Sequence, residues 1–96
     1  MNQVDEIQAD APFALLGAWL LALRTAAGRK QLDTAEAAGC SDLTWRRTEA
    51  GVRAPDTDEL ARVLDFLGAT PEQRVEVAQL ARILLHADDG QQEVEP

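Results

Sequence analysis

The stretch from Gln31 to Gly51 constrains the fold of this chain more than any other part of its sequence. It holds two short amphipathic segments separated by the turn residues Gly39, Cys40 and Ser41. Glycine takes the left-handed backbone that commonly ends a helix, and serine is a preferred N-cap for the helix that follows. Two helices that cross over so short a turn need small contact residues, and Ala35 is one. The stretch therefore predicts a helix-turn-helix.

Glycines also mark the other helix ends that the sequence predicts. Those that fall at or just beyond a predicted end are Gly28, Gly39, Gly51, Gly68 and Gly90. A sixth, Gly17, lies inside the first predicted helix. Between these positions apolar residues recur at spacings of three and four, as on one face of a helix. We predict helices over residues 12–27, 31–38, 42–50, 57–67 and 71–87, which make an all-α, compact five-helix bundle containing the helix-turn-helix.

The length of 96 residues fits one domain. We expect this domain to span residues 12–87, between a disordered acidic leader over 1–11 and an acidic tail over 88–96. The leader lacks the basic start of an export signal, and the uncharged run 11–23 is too short to cross a bilayer. A single cysteine, Cys40, cannot form an internal disulfide. These features predict a cytoplasmic location and no membrane association.

The chain resembles the phage-repressor type of helix-turn-helix protein, the Xre or Cro/C1 family, and within it an actinobacterial-like branch. The residues that carry the resemblance keep the family's spacing without a gap: Leu23, Arg24, Gly28, Gln31, Ala35, Gly39, Ser41, Glu49 and Gly51. The resemblance implies a lambda-repressor-like DNA-binding domain. It also implies a repressor-like, sequence-specific transcriptional regulator that reads the major groove of double-stranded DNA with its third helix.

The resemblance assigns candidate base contacts to Asp42, Leu43 and Arg47. The guanidinium of Arg47 can donate two hydrogen bonds to guanine. Asp42 could accept from cytosine N4, or it could simply favour the first-turn helix dipole. Leu43 could touch a thymine methyl group or be an ordinary exposed leucine. The positions that usually contact phosphate hold Lys30, Gln31, Ser41, Arg46 and Arg53.

Other family positions have structural expectations. The resemblance implies that Arg24 and Glu49 form a partly buried ion pair between the first helix and the end of the third. Thr34 and Thr48 depart from the family pattern, because they stand where an aliphatic core residue is usual. Trp45 is expected to be the large apolar anchor of the third helix.

The net charge of −8 opposes binding to nucleic acid, which depends largely on basic contacts to phosphate. The charge is unevenly distributed, since the span from Arg24 to Pro55 carries six basic and four acidic side chains. Two interpretations of the acidic ends remain open. They could keep a small protein soluble, or they could repel off-target DNA or bind a basic partner.

Apolar residues also cover more of the first and fifth helices than one core-facing stripe requires. The residues of this possible dimer or partner surface are Trp19, Leu21, Leu80, Ile83 and Leu84. Either the fifth helix folds back over the first and buries Trp19, or the surface is the seam of a homodimer. A rival function follows from it: a protein-interaction module, antitoxin-like or a partner of another regulator, with weak or no DNA binding.

The sequence offers no support for catalysis. It contains no phosphate-binding loop and no evident pairing of a nucleophile with a base. One cysteine and one histidine are too few for a structural metal site. We therefore expect no enzyme activity, no cofactor and no metal.

Overall fold

The structure, a computed structural model, describes residues 11–85 and contains five α-helices. They are α1 (Ala14–Ala26), α2 (Gln31–Ala38), α3 (Asp42–Ala50), α4 (Thr57–Leu67) and α5 (Pro71–Leu85). Residues 11–85 contain no strand, so the predicted all-α fold with five helices is confirmed. Most of the predicted leader, His86 and the predicted tail lie outside the described residues, as do the side chains of residues 83–85. No helix in the described part of the chain is both long and apolar enough to span a membrane.

Reciprocal hydrogen bonds fix the starts of α4 and α5. At α4 the Glu59 backbone N–H donates to the Asp56 carboxylate at 2.8 Å, and the Asp56 N–H donates to Glu59 Oε1 at 3.0 Å. At α5 the Gln73 N–H donates to the Thr70 hydroxyl oxygen at 3.1 Å, and the Thr70 N–H donates to the Gln73 side chain at 2.9 Å. Each pair satisfies two backbone donors that the first helical turn would otherwise leave unpaired.

A single hydrophobic core joins the five helices, and its largest fully buried side chain is that of Trp45. Helix α3 packs on α1 and α2, α4 packs on α2, and α5 packs on α1. The other buried core residues are Leu16, Leu20, Ala35, Ala38, Val63, Leu64, Leu67, Ala69, Val77 and Ala81. Because α3 is anchored through its inner side, its outer side is held in a fixed orientation.

Gly17 allows α1 and α3 to approach closely. A Cβ atom at this position would lie 2.6 Å from the carbonyl oxygens of both Thr48 and Glu49. Cβ atoms essentially never come so close to backbone oxygen, and neither carbonyl can move without shifting the last turn of α3. This contact explains why a glycine lies inside a helix, where it costs roughly 0.5–1 kcal/mol relative to alanine.

Candidate nucleic-acid interface

The turn between α2 and α3 has the geometry that its residues predict. Gly39 takes a left-handed backbone with φ 83°, and its N–H donates to the carbonyl oxygen of Ala35 at 3.0 Å. Ser41 is the N-cap of α3, because its hydroxyl oxygen accepts from the Thr44 N–H at 3.1 Å. These bonds end one helix and start the next within three residues.

An arginine that the sequence analysis did not single out also holds this turn. The guanidinium of Arg62 on α4 donates to the carbonyl oxygen of Ala38 through Nε at 3.1 Å and through Nη2 at 2.7 Å. Cys40, in the same turn, is half-buried beside the core. Its burial and the nearby negative charge of Glu59 raise the pKa of its thiol. Arg62 and its acceptor Ala38 are 24 positions apart in sequence, which explains why no local pattern predicted the bond.

The carboxylate of Glu49 joins the three helices that carry the interface. It forms an ion pair with Arg24 on α1, whose Nη2 lies 3.1 Å from Oε1. The Gln31 amide on α2 donates to Oε1 at 2.8 Å, and the indole N–H of Trp45 donates to Oε2 at 2.7 Å. Only 4% of the Glu49 side chain is exposed, so this cluster of hydrogen bonds is shielded from water. The role of Gln31 at phosphate stays a prediction, and its amide has a structural partner.

Arg53, another predicted phosphate contact, connects the loop after α3 to both neighbouring helices. Its Nη1 donates to the Thr48 hydroxyl oxygen at 2.9 Å, and its Nη2 donates to the two carboxylate oxygens of Glu59 at 2.7 and 2.8 Å. The side chain is 31% exposed. Arg53 therefore pairs through Nη2 with both carboxylate oxygens of Glu59 and fixes the loop, and contact with phosphate remains a prediction for its exposed part.

The two threonines at aliphatic family positions are fully buried, and helix backbone satisfies both hydroxyls. Thr34 donates to the Lys30 carbonyl oxygen at 2.9 Å, and Thr48 donates to the Thr44 carbonyl oxygen at 3.1 Å. Only Thr48 has a second partner, because its oxygen also accepts from Arg53. A threonine can thus occupy each position without leaving a buried polar group unpaired.

Because only Thr48 has a second hydrogen-bond partner, Thr34→Val and Thr48→Val form a matched pair of variants. We expect Thr34→Val to change the free energy of unfolding by less than about 1 kcal/mol, because the methyl groups keep the packing and only an intrahelical bond is lost. Thr48→Val should cost about 1.5 kcal/mol or more, since it removes the acceptor of a charged donor. Urea unfolding of both variants measures the difference. Equal losses would contradict a stabilising role for the bond between Arg53 and Thr48.

The outer side of α3 presents Leu43 and Arg47 to solvent, whereas Asp42 is partly buried and its Oδ1 has no hydrogen-bond partner among residues 11–85. Leu43 is 56% exposed, and Arg46 and Arg47 are exposed as well. Arg46 Nε donates to Asp42 Oδ2 at 2.8 Å, an ion pair between residues four apart. Within residues 11–85 no carboxylate forms an ion pair with Arg47. The Asp42 charge is therefore partly offset by Arg46, and Arg47 is the cation left to act on a ligand.

The predicted site residues lie on two surfaces of the structure, one formed by α2 and α3 and the other by α1 and α5. Ser41, Asp42, Leu43, Arg46 and Arg47 lie together at the start and outer side of α3, and Lys30 lies exposed at the N-cap of α2.

The possible dimer or partner residues belong to α1 and α5. Trp19 and Leu80 are half-buried against the core, whereas Leu21 is 40% exposed. The side chains of Ile83 and Leu84 lie outside the described residues. Helix α5 does pack on α1, as one of the two interpretations expected, and Trp19 keeps part of its surface open to solvent.

A family model described as a helix-turn-helix domain matches residues 15–77, well over half of the chain. The chain therefore belongs to this helix-turn-helix family, and the resemblance to the Xre and Cro type is confirmed. The family is of a DNA-binding kind. The actinobacterial-like branch stays a prediction. No curated protein and no solved structure matches the chain.

Proposed function

We propose that this protein is a sequence-specific, repressor-like transcriptional regulator that places α3 in the major groove of DNA and acts in the cytoplasm. The observation that carries the proposal is the outer side of α3, where Leu43, Arg46 and Arg47 are exposed. The inner side is fixed by Trp45 and Glu49. A recognition helix needs this combination, because base contacts require side chains that protrude from a rigid support.

The proposed roles follow from position and charge. Arg47, Asp42 and Leu43 face base edges, and Arg47 is the principal reader because a guanidinium can fork onto guanine. The proposed phosphate contacts are Lys30, Gln31, Ser41, Arg46 and Arg53. Within this set Lys30 is exposed and forms no ion pair with any carboxylate in residues 11–85, so it is the clearest cation for a sequence-independent contact.

Two single variants separate base reading from phosphate binding. We expect Arg47→Ala to lose about 1–3 kcal/mol of discrimination at one base pair, while its affinity for unrelated sequences falls much less. Lys30→Ala should weaken binding evenly across sequences and reduce the salt slope by about one unit. Titration of each variant against a cognate site and a substituted site, at several salt concentrations, measures both effects. If both variants lower affinity equally for every sequence, the assignment of Arg47 is wrong.

The proposed DNA-binding form is a homodimer that binds two half-sites. The side of α1 that carries Leu21 suits such a seam, because Leu21 is 40% exposed and the uncharged run 11–23 brings no like charges together. A two-fold pair of recognition helices would require a palindromic operator.

A protein-interaction module is the second candidate function. It is favoured by the net charge of −8 together with exposed apolar side chains on α1 and α5, among them Val75 at 58% exposure. In that case the helix-turn-helix would be a scaffold with weak or no DNA binding. The two functions differ in whether any DNA sequence is enriched at low salt.

A further inference from the structure

A groove between α1 and α5 exposes one side of the Trp19 indole. It has a volume of about 180 Å³ and is lined by Trp19, Ala22, Leu23, Ala26, Gln73 and Glu76. A shallow apolar depression on α5 shares Glu76 with it and adds Pro71, Glu72, Val75 and Gln79. The first hollow, which we call the α1–α5 groove, meets the second only at Glu76. It lies outside the proposed DNA-contacting residues of α2 and α3.

Two carboxylates border the α1–α5 groove without a cation to offset them. Glu72 and Glu76 are exposed and stand four residues apart on α5, so they lie on the same side of the helix. In the described part of the chain neither forms an ion pair. Arg74, which lies between them in sequence, pairs with Asp65 on α4 at 3.1 Å. The groove therefore combines an apolar floor with a negative rim.

The charge of the rim argues against occupation by this chain itself. Residues 1–10 carry three acidic side chains and residues 86–96 carry four, and neither segment contains lysine or arginine. A second copy that used the same groove across a two-fold axis would bring the Glu72 and Glu76 carboxylates of both copies together. Juxtaposed like charges oppose association. The complementary occupant is a cationic segment of a different protein.

We propose that the α1–α5 groove binds an amphipathic helix of a partner protein that carries lysine or arginine beside its apolar stripe. Apolar side chains of that helix pack against Trp19 and Leu23, and its basic residues pair with Glu72 and Glu76. This is helix-in-groove recognition, in which the apolar contacts supply affinity and the charges select the partner. The inference does not depend on DNA binding, because the groove shares no residue with the proposed DNA contacts.

The test uses the full chain and three synthetic helical peptides of about 18 residues. One has a leucine stripe at helical spacing flanked by lysines, the second has the same composition with the stripe scrambled, and the third has glutamate in place of lysine. Binding is followed by NMR through the indole N–H of Trp19, with the indole N–H of the buried Trp45 as an internal reference. We expect the first peptide to shift the Trp19 resonance and to bind at least about tenfold more tightly than the other two.

Two double variants then assign the site. Glu72→Lys with Glu76→Lys should weaken the first peptide about tenfold or more. Glu36→Lys with Asp58→Lys makes the same charge change at exposed positions on α2 and α4 and should alter binding less than about twofold. Equal weakening in both double variants would show general charge attraction and overturn the proposal.

Three other results would also overturn the proposal. They are equal binding of the acidic peptide, no binding of any peptide, and a Trp19 resonance that changes on dilution of the protein alone. The last result would mean that a second copy occupies the groove.

Discussion

Glu49→Ala is expected to lower the free energy of unfolding by about 3–5 kcal/mol, the range for removing one partner of a buried ion pair. The loss has more than one source. Arg24 would remain partly buried without its counter-ion, Gln31 would lose its acceptor, and the fully buried Trp45 N–H would be left unpaired. Because domains of this size are stable by only about 5–15 kcal/mol, the variant should unfold at much lower urea concentrations, as circular dichroism would show.

Arg24→Ala is the matched comparison for Glu49→Ala. It breaks the same ion pair but leaves the Glu49 carboxylate with two donors, Gln31 and Trp45. We expect it to be less destabilising than Glu49→Ala. Glu36→Ala, at an exposed position on α2, should change stability by no more than about 0.5 kcal/mol. A smaller loss for Glu49→Ala than for Arg24→Ala would contradict the role of Glu49 as the shared acceptor.

Gly17→Ala should cost about 3 kcal/mol, the upper end of the usual range for overpacking a core. The added methyl group would lie 2.6 Å from two backbone carbonyl oxygens, so α1 and α3 must move apart. Helix propensity acts in the opposite direction, since alanine favours a helix by roughly 1 kcal/mol over glycine. Measured net destabilisation therefore shows that the steric contact outweighs propensity.

Ala18→Gly isolates the propensity term for Gly17→Ala, because Ala18 is the exposed neighbour on the same helix. It should cost about 0.5–1 kcal/mol without disturbing the contact between α1 and α3. If Gly17→Ala were instead stabilising by a similar amount, the close approach of the two helices would be wrong. If the proposed function is correct, the displacement of α3 by Gly17→Ala should also lower DNA affinity, although no proposed DNA contact is changed.

The helical architecture was predictable because its signals are local. Gly39 and Ser41 define the turn, and the pairs Asp56 with Glu59 and Thr70 with Gln73 lie within one helical turn of each other. The sequence marks Gly17 as a glycine inside a helix, but its close approach to the carbonyl oxygens of Thr48 and Glu49 is visible only in the structure.

The hydrogen bonds that tie the site together could not be predicted in the same way. Gln31 and Arg24 meet Glu49 across 18 and 25 residues of sequence, and Arg62 meets Ala38 across 24. Such partners depend on how the helices cross, and the residue types alone suit many other contacts. For the same reason the resemblance could place Gln31 and Arg53 near phosphate but could not reveal their bonds to Glu49 and Glu59.

Selection from a randomised double-stranded DNA library at two salt concentrations shows whether the outer side of α3 reads DNA. Wild type is compared with an Arg46→Ala, Arg47→Ala double variant. A second variant, Arg82→Ala, removes an exposed positive charge on α5 and serves as the control. We expect wild type to enrich a defined site, palindromic if the homodimer is correct, with an affinity that falls as salt rises. The α5 control should keep this site, and the α3 variant should lose it. Absence of an enriched sequence at low salt, or an enriched site that the α3 variant still binds, would contradict DNA reading by α3.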